Sequence, residues 1–143
     1  MKKIVLALCL IIVSSTSFAK DIQVKVSNLP KGIITFVTKY FPSTKITKAS
    51  QEADDKDYNI KLSNGAELEF GKNMDWTEII SKTTIPAGII PHGVTDYVQH
   101  KYPGKYIKYI ERSKQGYDIK LNNNKKFQLD NNFSSTSFKE NND

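Results

Sequence analysis

The sequence predicts an α+β fold: tandem helix-plus-antiparallel-sheet repeats that share one curved sheet, with the helices on one face. Three observations predict it. The chain repeats itself at a shift of about one small motif. Each copy holds a short stripe of apolar residues at helical spacing between two prolines. Each copy then continues in strands that alternate apolar with polar residues around a tight turn.

Residues 1–19 have the grammar of a secretory signal: Lys2 and Lys3, the apolar run Ile4 to Val13, then Ser17-Phe18-Ala19 before a cleavage point. Ten apolar residues are too few for a permanent membrane span, so no span is expected once the signal is removed. Cys9 faintly suggests lipid attachment, but the bulky Leu8 before it and the apolar run beyond it argue against that. Cleavage removes this single cysteine, so the mature chain has no disulfide to staple it and hydrophobic packing must hold the fold. The stretch Ile22 to Val26 alternates and suits an edge strand.

A shift of 61 residues lays Leu29-Pro30-Lys31-Gly32-Ile33 on Ile90-Pro91-His92-Gly93-Val94, and Phe41-Pro42 on Tyr102-Pro103. A shift of 59 lays Tyr58-Asn59-Ile60-Lys61-Leu62 on Tyr117-Asp118-Ile119-Lys120-Leu121. The difference is a longer loop around Glu52 to Asp57 in the first copy. A rival register on Ile85-Pro86-Ala87-Gly88 matches locally, then loses the aromatic positions and the second proline. The expected organisation is a signal peptide at 1–19, a first repeat at 20–84, a second at 85–138 and a frayed tail at 139–143.

In each copy the first proline stands at a helix entrance, where its missing N–H costs nothing, and the second stops the helix. Between them Ile33, Phe36, Val37 and Tyr40, and in the second copy Val94, Tyr97 and Val98, form an apolar stripe. A helix of about twelve residues is marginal alone in water and must pack on something. The strands supply it. Early strands fall near Lys45 to Ser50 and Tyr106 to Arg112, and a later one at Trp76 to Ser81 with a weaker counterpart near Phe133. Around Ser63-Asn64-Gly65, a three-residue loop with Gly65 left-handed pairs Leu62 with Ala66, Ile60 with Leu68 and Tyr58 with Phe70. All apolar side chains then share one face, and Lys61 meets Glu67 on the other. The second copy places Asn124 at the glycine position, sets Ile119 against Phe127, and opposes Lys120 to Lys126. Like charges directly opposite each other are unfavourable.

This order of motifs resembles the PepSY-like family of exported bacterial proteins, also described as β-lactamase-inhibitor-protein-like. The residues that carry the resemblance are Leu29-Pro30, the aromatic-proline pair Phe41-Pro42, Tyr58-Asn59-Ile60-Lys61-Leu62, Asn64-Gly65 and Glu67-Leu68-Glu69-Phe70. The resemblance spans the mature chain. It implies the fold already described and a periplasmic or secreted location, and it brings no activity. Asn124 in place of glycine, and Phe133-Ser134-Ser135 where the first copy has Met74-Asp75-Trp76, depart from the pattern. The β-lactamase inhibitor has disulfides and an aromatic-rich face, so no inhibitory residue carries over to this chain.

Chemistry leaves little for catalysis, and an enzyme is not expected. His92 and His100 are eight apart, the wrong interval for a shared metal on a helix. The serines sit in loops without a nucleophile motif, and no sequence pattern points to a cofactor. The acidic loop Glu52 to Asp57 lacks the ligand order of a calcium loop. Net charge falls from +6 to +4 without Lys2 and Lys3, too small for a nucleic-acid binder. Residues 85–143 carry nine basic against six acidic side chains, while residues 20–84 carry ten against nine. The expected function is a non-enzymatic binding module that engages a protein or peptide, with an anionic partner suggested by the opposed lysines. The alternative is an inhibitor of a secreted or periplasmic hydrolase of the β-lactamase or peptidase class. Candidate contact residues are Lys61, Glu67, Glu69, Lys108, Lys120, Lys126 and Gln128 on the exposed sheet face; Trp76 either packs over a sheet end or joins them as an aromatic anchor.

Overall fold

The computed structural model describes residues 21–136. The expected signal peptide, with Cys9 and the expected cleavage point, and the expected tail at 139–143 lie outside the described residues.

The chain runs β1 (Ile22–Gln23), a 3-10 turn (Val26–Asn28), α1 (Lys31–Tyr40), β2 (Ile46–Gln51), β3 (Tyr58–Leu62), β4 (Glu67–Phe70) and β5 (Trp76–Ile80). It continues with α2 (His92–Lys101), β6 (Ile107–Arg112), β7 (Gly116–Leu121), β8 (Lys126–Asp130) and β9 (Ser135–Thr136). Among the described residues nine strands join one sheet in sequence order, each antiparallel to the next. The junction of the two copies is β5 against β6, with Glu78 opposite Glu111, Ile79 opposite Ile110 and Ile80 opposite Tyr109.

Each helix is ten residues long, slightly shorter than its sequence pattern suggests. Pro30 and Pro91 stand just outside, their carbonyls accepting the first helical hydrogen bonds. At the other end the N–H groups of Phe41 and Tyr102 close on the carbonyls of Val37 and Val98, and the following proline prevents another turn. Ile33 and Val37 of α1 and Val94 and Val98 of α2 share one core with Ile60, Leu68, Ile79, Ile110, Ile119 and Leu129 of the sheet. Both helices therefore lie on the same face. Phe36 meets Phe70 edge-on at 5.1 Å, and Tyr97 lies 5.5 Å from Phe127, so each helix covers its own copy.

The hairpin registers follow the apolar alternation. The N–H of Leu62 reaches the Ala66 carbonyl across the three-residue loop, with Gly65 at φ +83°. Leu121 and Lys125 close the same loop in the second copy, and Asn124 takes the left-handed position at φ +68°. Asparagine tolerates this region better than most side chains, and here its Oδ1 accepts from the Lys108 ammonium. Extra residues at Thr47, Thr77 and Lys108 interrupt the pairing of β2, β5 and β6 with their neighbours. Such bulges raise local twist, and those at Thr47 and Lys108 occupy equivalent places in the two copies.

Candidate functional site

One face of the sheet is buried under the helices, so the other is left as a broad polar surface. Two rows of side chains cross it at right angles to the strands. The first runs Ser50, Asn59, Glu69, Glu78, Glu111, Asp118, Gln128 from β2 to β8. The second runs Lys48, Lys61, Glu67, Ile80, Tyr109, Lys120, Lys126. Alternation places both rows here, because their immediate neighbours Ala49, Ile60, Leu68, Ile79, Ile110, Ile119 and Phe127 are buried on the opposite side.

The first row contains four carboxylates directly opposed on four successive strands. Thr77 donates its hydroxyl to Glu69 at 2.6 Å, and the Tyr109 hydroxyl donates to Glu111 at 2.7 Å and to Glu78 at 3.3 Å. These donors offset only part of the repulsion. Burial first, then the charges of Glu69, Glu111 and Glu67, hold the Glu78 carboxyl above the usual range, against the lowering effect of the Tyr109 hydrogen bond. Burial and its bond to Glu111 push the Tyr109 phenol well above its ordinary value, so it stays a donor.

The second row has an apolar middle and charged flanks. Ile80 is 36% exposed, one of the few large hydrophobic side chains so open among the described residues, and it stands opposite Tyr109. On the β3–β4 side Lys61 and Glu67 form an ion pair at 3.0 Å. On the β7–β8 side Lys120 opposes Lys126, and neither has a carboxylate within ion-pair distance among the described residues. A shallow depression lies over each copy. That of the first copy, about 180 Å³, is lined by Lys48, Lys61, Glu67, Glu69 and Glu78 with Asp21. That of the second copy, about 520 Å³, is lined by Tyr109, Asp118, Lys120, Lys126 and Gln128.

The structure brings together Lys61, Glu67, Glu69, Lys120, Lys126 and Gln128 on this face. Lys108 sits at the β6 bulge near the rim, where its ammonium donates to Asn124 at 2.7 Å. Trp76 takes its packing role and not the contact role. It is 8% exposed on the helix side, with the Arg112 guanidinium 4.7 Å over its ring and donating to its carbonyl at 2.7 Å. The bulge at Thr77 turns Trp76 into the core and removes it as a contact anchor. The sequence reading missed Ile80, Glu78, Glu111 and Asp118. The alternation of Glu78 with Ile79 was visible, but the neighbour of β5 was not. Among the described residues no three His, Cys, Asp or Glu side chains gather as a metal site, and no helix is long and apolar enough to cross a membrane.

The family model described as beta-lactamase-inhibitor-like, PepSY-like matches the chain twice, at residues 15–74 and 56–136. The chain belongs to the PepSY-like family. No curated protein matches it. Among solved structures, it is similar to a candidate calcium-regulated periplasmic protein of Bacteroides thetaiotaomicron, with 32% identity and a TM-score of 0.77. The match covers 82% of this chain and 94% of that one. Two candidate periplasmic proteins of Bacteroides vulgatus are also similar. One has 34% identity, TM-score 0.78 and coverage of 82% and 95%; the other has 28%, 0.77 and coverage of 82% and 98%. These similar structures share the α+β fold, and the chain is an exported protein of the periplasmic kind.

Proposed function

We propose that the protein is a non-enzymatic exported binding module that engages a protein or peptide partner through the open face of its sheet. One observation carries the reading. Glu69, Glu78, Glu111 and Asp118 oppose one another across four strands, and Lys120 opposes Lys126 beside them. Like charges directly opposite weaken a sheet, whereas pairs such as Lys61 with Glu67 strengthen it. A partner carrying complementary charge removes that cost on binding. Ile80 and Tyr109 add an apolar centre inside a polar surround, the usual anatomy of an interface.

The test is affinity capture from an envelope fraction of the native organism with the mature chain, beside an Ile80→Arg variant. A partner retained by the wild type and lost by the variant is the expected result. A partner held equally by both, or none across salt conditions, contradicts the reading. The description of one relative as calcium-regulated makes calcium a condition to vary in the same experiment. The family description makes a secreted or periplasmic hydrolase the first partner class to assay. An inhibitor lowers the turnover of the captured hydrolase in a stoichiometric complex; a scaffold leaves its rate unchanged.

A further inference from the structure

The two depressions on the open face occupy equivalent places in the two copies but differ in charge. Their lining residues correspond through the 59-residue shift: Asn59 with Asp118, Lys61 with Lys120, Glu67 with Lys126, and Glu69 with Gln128. In the first copy Asp21, Glu67, Glu69 and Glu78 outnumber Lys48 and Lys61. In the second, Lys120 and Lys126 outnumber Asp118. Between them Ile80 and Tyr109 stand opposite each other, and Ile80 is exposed. The face is therefore polarised along the direction that crosses the strands, with an apolar midpoint.

Resting on the binding reading above, we infer that the partner presents an extended polypeptide segment with one basic and one acidic side chain at opposite ends and an apolar residue between them. The basic side chain seats in the first depression, against Glu67, Glu69 and Glu78. The acidic side chain seats in the second, between Lys120 and Lys126, and the apolar one covers Ile80 and Tyr109. The depressions centre on β3–β4 and β7–β8, four strand steps apart. At roughly 4.8 Å per strand step that is about 19 Å, a distance an extended segment spans in about six residues. An anionic partner, as the lysines alone suggest, would satisfy only one end and place its charge beside the carboxylate row at the other.

The test is selection of phage-displayed random twelve-residue peptides on the mature protein, on Lys120→Glu/Lys126→Glu, and on Glu69→Gln/Glu78→Gln. Opposed glutamates repel much as opposed lysines do, but they also stand beside Asp118, so thermal unfolding checks that the first double variant keeps its fold. Wild type is expected to select peptides with a basic and an acidic residue about six positions apart around an apolar one. The lysine variant replaces the acidic residue by a basic one, and the glutamine variant drops the requirement for the basic one. A wild-type peptide loses about tenfold in affinity on the lysine variant, equivalent to one decade of Kd. Peptides of one sign, or the same peptides from all three proteins, overturn the inference. Each selected peptide is also measured on Ile80→Arg. Peptides that lose binding there but lack charge order refute only the segment proposed here. Peptides that bind Ile80→Arg unchanged, or the recovery of no binders, refute the open face as the binding surface as well.

Discussion

Glu78 occupies the middle of the carboxylate row, and its environment makes a residue-scale prediction. A carboxyl held above its ordinary value in the fold keeps a proton that the unfolded chain has already released. Stability therefore falls as pH rises from the ordinary glutamate value through the raised one, and the penalty is fully present above that window. Glu78→Gln is expected to stabilise the protein at neutral pH by about 0.5 kcal/mol, since glutamine still accepts the Tyr109 hydrogen bond without the charge. The gain disappears below roughly pH 4, where the unfolded glutamate is also protonated. Urea unfolding of both proteins across that range checks it. The opposed lysines make the companion case. Lys120→Ser/Lys126→Ser is expected to raise the unfolding midpoint slightly, by about 0.5 kcal/mol, while abolishing salt-sensitive binding. A variant that is stabilised yet binds as before makes the lysines irrelevant to recognition.

At the scale of elements, the two copies differ most instructively where the helix meets the following hairpin. Met74 and Phe133 take equivalent left-handed positions, at φ +65° and +61°, in the loops after β4 and β8. Each leans over the glycine in the first turn of its helix. A Cβ at Gly32 would lie 3.2 Å from the Met74 Cβ, whereas one at Gly93 would run into the Phe133 ring, which also stacks 6.1 Å from Tyr117. Gly93→Ala is therefore expected to cost about 2 kcal/mol through overpacking. Gly32→Ala stays within about 0.5 kcal/mol, because alanine's helical preference offsets a small adjustment by methionine. Thermal unfolding of the two variants separates them. These two loops also mark the limit of sequence reading. Loops with Gly65 and Asn124 were legible because those residues signal a left-handed turn. Met74 and Phe133 give no such signal, although Gly71 and Asp130 close on Asp75 and Ser134 in the same three-residue pattern. Strand alternation likewise placed Lys61, Glu67, Glu69, Lys120, Lys126 and Gln128 on one face correctly. It could not place Trp76, because the bulge at Thr77 resets the alternation, nor reveal that Glu78 faces Glu111 across the junction of the copies.

At the scale of the molecule, one core runs beneath both helices. A half of about sixty residues buries too little surface to be robust alone, so the copies are expected to unfold as one unit. Trp76, the sole tryptophan, lies in β5 of the first copy with Arg112 of the second over its ring, so it reports on the first copy and on the junction. Val98→Ala in α2 is expected to lower the urea midpoint seen by Trp76 fluorescence as much as that seen by circular dichroism. A Trp76 transition that ignores Val98→Ala shows independent halves. The shared core constrains both copies alike, so the buried code repeats while the open face is free to diverge, and the divergence is where recognition is proposed. The most direct measurement is lysine acetylation of the mature protein, read by mass spectrometry with and without an envelope fraction of the native organism. Lys61, Lys120 and Lys126 are expected to lose reactivity while Lys31 and Lys39 on α1 keep theirs; protection on α1 with an unprotected open face would place recognition on the helices instead.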